Sequence, residues 1–301
     1  MPTFLLHQHN FRVLDLSHKQ LKGQFPSWLL ENNTRLVFVS LKNNSFPGHF
    51  HVLLNLGFAS WMDVSDNQLI GQLQGNTGNV QPNISYLDLS KNNFEGCLPH
   101  LIGNMILLDV LYVSFNNFSG EVPKELLAGC LKLQVLKLSY NSFLGHLFSS
   151  KFNLINLEVL RINDNKFSRT LSNVLSKCSG SLSFLDVSNN KMVGKTPSWI
   201  CNQTKLTLLL LPDNFFNGQF GTFGDSSYEG NPFLCGLPLD KKCTSIDDLP
   251  WMPPKSSSIS DGKCQIPNLL AKKKERNSLG FKLNTQISTW IYAIKIRFIT
   301  G

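Results

Sequence analysis

LDVLYVSFNNFSG (residues 108–120) decides the fold of this chain, because eight further copies of the same phrase flank it. The phrase is L-x-x-L-x-L-x-x-N-x-F/L-x-G, and it recurs nine times between Phe11 and Phe220 at a spacing of 23 to 25 residues. Two other plain copies are LQVLKLSYNSFLG (133–145) and LSFLDVSNNKMVG (182–194). A fixed period in this range indicates a stacked solenoid.

Apolar side chains alternate within each copy. Leucine or a close substitute stands three and five residues before the asparagine, as Val113 and Leu111 stand before Asn116. This alternation predicts a short strand with those side chains inward, and neighbouring coils must stack to bury them. We expect the asparagine amide to satisfy backbone groups that the following turn leaves unpaired. The asparagines are Asn44, Asn67, Asn92, Asn116, Asn141, Asn165, Asn190 and Asn214, with Lys19 in the first copy.

A glycine stands four residues after the asparagine position in every copy except the seventh, which has Arg169. In four copies a proline follows that glycine by three residues. The full pattern resembles the plant-specific leucine-rich repeat, L-x-x-L-x-x-L-x-L-x-x-N-x-L-x-G-x-I-P, over roughly residues 4–221. The resemblance implies an α/β solenoid: a right-handed superhelix with a parallel concave β-sheet and a second short strand in each coil. Its convex side would hold mostly loops and short helices or 3-10 turns.

A second segment, SSYEGNPFLCGLPLDKKC (226–243), resembles the C-terminal cap of plant leucine-rich-repeat receptor-like proteins. The resemblance implies a disulfide bond between Cys235 and Cys243. The expected domains are a solenoid of about nine repeats (1–221), a cap with a disulfide (222–243) and a basic, disordered tail (244–301).

Complete members of that family begin with a signal peptide and a paired-cysteine cap, and they end in a membrane helix. In this sequence Met1 leads almost directly into a repeat. No stretch reaches the roughly 20 apolar residues that a bilayer requires, and the best segment, 289–300, carries Lys295 and Arg297. We therefore expect a truncated or internally deleted chain without its own signal peptide or membrane helix. The resemblance itself implies the extracellular side of the plasma membrane.

The basic charge of the chain does not indicate nucleic-acid binding. The formal net charge is +8, but residues 244–301 alone contribute nine Lys and Arg against four Asp and Glu. The run AKKKER (271–276) is typical of a solvated, disordered tail, although a nuclear signal or a membrane-surface patch is the alternative. We therefore predict no nucleic-acid partner.

Catalytic motifs are missing from the sequence: it has no H-E-x-x-H, no phosphate-binding G-x-x-x-x-G-K-[ST] and no G-x-S-x-G. His49 and His51 form a weak H-x-H pair without nearby Cys or carboxylate ligands. We therefore predict a non-catalytic protein with no cofactor and no metal site. Cys178 and Cys201 occupy similar places in adjacent coils, so they are either a disulfide or two buried thiols.

Five N-x-[S/T] sites favour a secretory origin, together with the cap cysteines. The predicted glycosylation acceptors are Asn32, Asn43, Asn83, Asn117 and Asn202.

Ligand contacts are expected on the outward residues of the strands. The recurrent L-D-L-S aspartates and serines are interpreted as scaffold. Departures from that phrase combine aromatic and cationic side chains, which predicts a peptide or glycan contact patch. The patch comprises Tyr112, Phe115, Lys137, Tyr140 and Arg161. The aromatic run Phe38, Trp61 and Tyr86 extends it, unless these three residues serve lateral packing between coils.

The resemblance implies a recognition module of a plant cell-surface receptor-like protein. Such a module binds an extracellular peptide, protein or glycan ligand and signals through a receptor-kinase co-receptor in defence or development. Two alternatives stay open at this stage. One is a soluble binder similar to the polygalacturonase inhibitors, and the other is a non-functional truncated gene product.

Overall fold

The computed structural model describes residues 3–50, 57–73, 83–148, 152–178, 180–195, 197, 199–200, 205–218 and 233–234. All of them lie in one compact unit, Met1–Ile266. The described strand of the cap region, Phe233–Leu234, pairs with Phe215–Gly218. Cys235, Cys243, Asn202 and the tail 244–301 lie outside the described residues, so the predicted cap disulfide and tail stay predictions.

Each coil contributes one strand to a first sheet of nine parallel strands, which follow one another in chain order. The middle residue of each strand is buried in the core, and it pairs with the middle residues of the neighbouring coils, as Leu111 pairs with Leu87 and Leu136. The strands are Val13–Asp15, Phe38–Ser40, Trp61–Asp63, Tyr86–Asp88, Val110–Tyr112, Val135–Lys137, Val159–Arg161, Phe184–Asp186 and Leu208–Leu210.

A second parallel sheet, also of nine strands, forms where the second to ninth copies run past their asparagines, and its last strand comes from the cap region. The predicted second strand is therefore confirmed, and with it the plant-type leucine-rich-repeat solenoid. The strands are Pro47–His49, Gln68–Gln72, Asn93–Gly96, Asn117–Glu121, Ser142–Gly145, Lys166–Arg169, Lys191–Lys195, Phe215–Gly218 and Phe233–Leu234.

Phenylalanines stack under the second sheet to form a continuous core column. The rings of Phe94 and Phe118 lie 5.9 Å apart between centroids, those of Phe118 and Phe143 6.0 Å, and those of Phe143 and Phe167 6.2 Å. All four rings are fully buried. The asparagine of each repeat, together with Lys19 in the first copy, is called the ladder position below. Because each of these phenylalanines stands two residues after a ladder asparagine, the column repeats with the sequence period.

Two columns of left-handed backbone allow the chain to turn between the sheets. The residue before each ladder position has a φ between 50° and 58° in all nine coils. The glycine four residues after the ladder position is also left-handed, and Arg169 adopts the same conformation with a φ of 73°. Glycine is favoured there because it has no Cβ to oppose a positive φ.

The helices are short. Among the described residues, the α-helices are Ser27–Glu31 and Lys124–Gly129, and the 3-10 helices are Thr3–His7, His100–Asn104 and Asn173–Cys178. Consecutive coils pack so closely there that a Cβ on Gly103 would lie 2.4 Å from the carbonyl oxygen of Glu125. Within the described ranges, no helix is both long and apolar enough to span a membrane.

The buried cysteines are thiols. Cys178 is a free cysteine, and its Sγ donates to the carbonyl oxygen of Leu154 at 3.0 Å. Cys201 lies outside the described residues, and the structure gives Cys178 as a thiol, the second of the two alternatives. Cys130 is also free, and burial raises the pKa of its thiol to about 12. Both side chains fill inward positions as small apolar groups.

Candidate functional site

The outer face of the first sheet carries two rows of side chains, because the first and third residues of each strand point away from the core. The first row holds the predicted aromatic run. Phe38 and Trp61 stack at 5.8 Å, Trp61 and Tyr86 stack at 3.5 Å with nearly parallel planes, and Tyr86 meets Tyr112 edge-on at 5.7 Å. Phe38, Trp61 and Tyr86 are at most 6% exposed. The three rings therefore pack laterally between coils, which is one of the two interpretations that the sequence left open.

The second row begins with carboxylates. Asp63 and Asp88 are paired in register on neighbouring strands, and both are buried. The hydroxyl of Ser65 donates to Asp63 and that of Ser90 donates to Asp88, each at 2.6 Å. The same bond joins Ser17 to Asp15 and Ser188 to Asp186. The interpretation of these Asp and Ser residues as scaffold agrees with this pairing.

The two neighbouring carboxylates have perturbed pKa values. Burial, followed by the charge of Asp63, raises the pKa of Asp88 to about 6. Burial also raises the pKa of Asp63. The raised pKa of these carboxylates was not predicted from the sequence. Two D-x-S phrases in successive coils could have indicated it, because equivalent positions of stacked coils lie side by side.

The second row then changes sign. Lys137 and Arg161 stand on adjacent strands where several other coils have aspartate, and the two residues are paired in register. The Nζ of Lys137 lies 4.0 Å from the centroid of the Tyr112 ring. The guanidinium carbon of Arg161 lies 4.2 Å from the centroid of the Phe184 ring. Burial, followed by the charge of Arg161, lowers the pKa of Lys137 to about 8. Tyr112, which was expected to be exposed, is 9% exposed, because its ring lies between Tyr86 and the Lys137 ammonium.

Phe115 and Tyr140 lie apart from this strand face, on the left-handed turn that follows the strands in their coils. Their rings stack at 4.3 Å and are 48% and 46% exposed. They line a groove of about 720 Å³ together with residues of the second sheet, among them Asn93, Glu95 and Asn117. The structure thus divides the predicted patch into a strand face and a separate aromatic turn.

Four of the predicted glycosylation acceptors lie in the described ranges, and none of them is a ladder asparagine. All four are exposed: Asn32, Asn43, Asn83 and Asn117. Asn32 caps the end of a helix, Asn43 lies on a left-handed turn and Asn117 begins a second-sheet strand. Their use as acceptors stays a prediction.

Comparisons with known proteins agree with this architecture. The family model described as Leucine Rich Repeat matches residues 83–105 and 181–203. The chain also resembles the crystal structure of the ectodomain of the plant membrane receptor kinase GASSHO1/SCHENGEN3 from Arabidopsis thaliana, in complex with CASPARIAN STRIP INTEGRITY FACTOR 2. That likeness has a TM-score of 0.72 at 29% identity, over 77% of this chain and 28% of that one.

The chain has the fold of a plant-type leucine-rich-repeat solenoid.

Among curated relatives, this leucine-rich-repeat protein is 40% identical over 141 residues to Receptor-like protein 13 of Arabidopsis thaliana. The match covers 45% of this chain and 13% of the relative, so the chain spans a small part of the relative's length. A second solved structure is the Arabidopsis receptor kinase HAESA in complex with the peptide hormone IDA and the co-receptor SERK1. Its TM-score is 0.61 at 26% identity, over 78% of this chain and 44% of that one.

These comparisons bear on the predicted function class. Leucine-rich-repeat receptor-like proteins and receptor ectodomains are non-catalytic ligand-binding modules, which supports the prediction that this protein is not an enzyme. The relatives are receptor-like proteins, which implies a cell-surface location for them.

Proposed function

We propose that this leucine-rich-repeat protein is the recognition module of a plant cell-surface receptor-like protein. It binds an extracellular ligand on the outer face of its first sheet, and the ligand class that we propose is a peptide. Signalling then passes through a partner receptor kinase in defence or development. The support from relatives is that one solved ectodomain of this fold, that of HAESA, is a complex with the peptide hormone IDA and the co-receptor SERK1.

One observation carries the ligand-binding part of the proposal: Lys137 and Arg161 interrupt a row of aspartates on adjacent strands. Placing two cations side by side is unfavourable unless a negative group lies near them. Among the described residues, no carboxylate forms an ion pair with Lys137. An acidic side chain or the terminal carboxylate of a peptide is the complementary partner for such a pair.

The rest of the strand face suits the remainder of a peptide. Tyr112 and Phe184 hold the two cations over their rings, which restricts the orientations of the charged groups before a ligand arrives. Two strands away from Lys137, the scaffold carboxylate Asp88, which is hydrogen-bonded to Ser90, adds negative charge to the same row and so favours a basic group of the ligand there. A peptide with an acidic residue at one end and a basic residue further along matches this sequence of charges.

The test is a charge reversal on the strand face with a matched control elsewhere. For the test, the protein is produced by secretion from cultured plant cells. Its binding to an array of synthetic peptides with acidic and basic ends is then measured. Wild type should retain peptides that combine both charges, and Lys137→Glu with Arg161→Glu should lose them. The control, Lys166→Glu with Lys191→Glu, changes the net charge equally at exposed residues of the second sheet and should keep binding.

Two results would contradict the proposal. If wild type retains no peptide, the ligand class is wrong. If the strand-face variant and wild type bind alike while their melting temperatures agree, the cationic pair is not the contact. The co-receptor part is tested separately, by mixing the peptide-bound protein with the SERK1 ectodomain in gel filtration. A missing complex there contradicts kinase partnership with SERK1 and leaves peptide binding intact.

A further inference from the structure

The stacked residues Phe115 and Tyr140 both have a left-handed backbone conformation that is unfavourable for aromatic side chains. At the equivalent position the other seven coils carry His, Lys, Asn or Asp, and all nine residues have a positive φ. Asn and Asp tolerate this conformation, whereas a bulky side chain there is a steric outlier. Burial does not offset the strain, since nearly half of each ring is exposed. Backbone strain held at an exposed aromatic pair points to a functional requirement.

The groove beside the pair is lined by polar side chains of the second sheet. Asn93, Glu95 and Asn117 are exposed at its wall, and within the described part of the chain no hydrogen bond engages their side chains. The ladder asparagines Asn92 and Asn116 also line it, but their amides are committed to backbone groups. Among the described lining residues there is no Lys or Arg.

We propose that this groove is a saccharide-binding subsite, distinct from the strand face, and that it takes a neutral β-linked glucan chain. A β-glucose ring presents its C–H groups on both faces because its hydroxyls are equatorial, so one face can pack against an exposed aromatic ring. The hydroxyls at the ring edge then meet the amides of Asn93 and Asn117 and the carboxylate of Glu95, which are planar donors and acceptors. A volume of about 720 Å³ is in the range of small-ligand sites.

The charge of the groove decides between neutral and acidic sugars. Glu95 is the carboxylate among its described lining residues, which include His49 but no Lys or Arg. A uronic-acid chain would therefore be repelled. Asn117 is also a predicted glycosylation acceptor, and a glycan on it would compete for the groove. Ser119→Ala removes that acceptor motif and leaves the Asn117 side chain in place.

The test uses the Ser119→Ala protein, secreted from plant cells, with cellohexaose as the probe in calorimetric titration. Cellohexaose should bind, and Phe115→Asn or Tyr140→Asn should each weaken binding at least tenfold. The same two changes should raise Tm by about 2–4 °C, because asparagine relieves the left-handed strain. The control, Phe215→Asn, removes another exposed aromatic ring outside the groove and should leave binding unchanged.

The combination of weaker binding with higher stability separates this role from a packing role. If both asparagine variants lower Tm, the aromatic pair serves stability and the proposal is overturned. It is also overturned if cellohexaose fails to bind the Ser119→Ala protein, or if oligogalacturonide binds as tightly as cellohexaose. None of these results bears on peptide binding by Lys137 and Arg161, because that site lies on the strand face.

Discussion

The side-chain oxygen of Asn116 accepts a hydrogen bond at 3.0 Å from the backbone N–H of Phe94, which belongs to the preceding coil. The Nδ2 of the same amide donates to the carbonyl oxygens of Leu89 at 3.0 Å and Val113 at 3.1 Å. One side chain therefore satisfies backbone groups of two coils at the point where both leave the first sheet. The same arrangement recurs at the other ladder asparagines.

Asn116→Ala should lower the free energy of unfolding by about 2–3 kcal/mol, because it leaves a donor and several acceptors of the turn unpaired. Urea denaturation followed by circular dichroism measures the change. Asn117→Ala is the matched control, since that neighbouring side chain is exposed, and it should cost less than about 0.5 kcal/mol. Equal losses in the two variants would show that the ladder amide has no special role.

Phe118→Ala should cost about 3–5 kcal/mol, because it removes a fully buried ring from the middle of the phenylalanine column and leaves a cavity between two others. The exposed Phe215 is the control, and its replacement by alanine should cost far less. Thermal unfolding of both variants provides the comparison. A small effect at Phe118 would mean that the neighbouring coils collapse into the space.

Gly103→Ala should destabilise the protein by about 1–3 kcal/mol, because the new Cβ would collide with the backbone of Glu125 in the next coil. Gly57→Ala is the control, since a Cβ there meets no heavy atom within 4 Å. The measurement is the urea midpoint of each variant. If the two glycine variants unfold at the same midpoint, the coils have enough freedom to move apart at the convex side.

The buried carboxylate Asp88 predicts a pH dependence of stability. Its folded-state pKa is raised to about 6 from 3.8, so the folded chain holds this proton more tightly than the unfolded chain. The stability from this group is complete below pH 3.8 and is lost as the pH rises through about 6. Asp88→Asn should therefore gain Tm relative to wild type as the pH increases from about 4 to about 7. The amide oxygen can still accept the Ser90 hydrogen bonds.

The control for the lost charge is Asp213→Asn, which removes one carboxylate from an exposed turn. The difference between the two Tm shifts should grow with pH over the same range. A constant difference would contradict the buried-carboxylate explanation, because both variants would then act only through net charge.

The ammonium of Lys137 predicts a pH dependence of peptide binding. Because its pKa is lowered to about 8, the charged fraction declines between neutral pH and about pH 9.5. Affinity for an acidic peptide should decline with it. In Lys137→Arg the guanidinium stays charged over this range, so the affinity should stay level. Titrations at several pH values measure this, with a peptide that has no titrating group in the window. A parallel decline in both proteins would assign the effect to another group.

Most of the fold could be predicted from the sequence, because the repeat makes each local rule apply at equivalent positions. The strands, the asparagine ladder, the left-handed glycines and the second sheet all lie where the phrase places them. The period also locates the phenylalanine column, since the residue two after each ladder asparagine is inward in every coil. Arg169 shows the limit of the rule, because the stacked neighbours impose a positive φ on a residue that does not favour it.

The candidate site was predictable as a set of residues but not as an arrangement. Outward position on a strand does not determine exposure, since neighbouring outward rings such as Trp61 and Tyr86 cover one another. The distance of Phe115 and Tyr140 from the strand face depends on the turn geometry, which differs from the strand by only a few residues in sequence. The raised pKa of Asp88 also depends on burial together with a neighbour from another coil. Such effects of one coil on the next require the stacked structure.

The even stacking of the first sheet sets the spacing that the proposed peptide ligand must match. Adjacent strands lie about 4.8 Å apart, so the two steps from Asp88 to Lys137 separate opposite charges by about 10 Å along the sheet. Duplicating or deleting one whole repeat between them would change that separation by one strand spacing. The core contacts between neighbouring coils would stay of the same type. For the proposed peptide, the distance between its charged groups is thus set by the number of repeats, which unequal recombination can change and point substitution cannot.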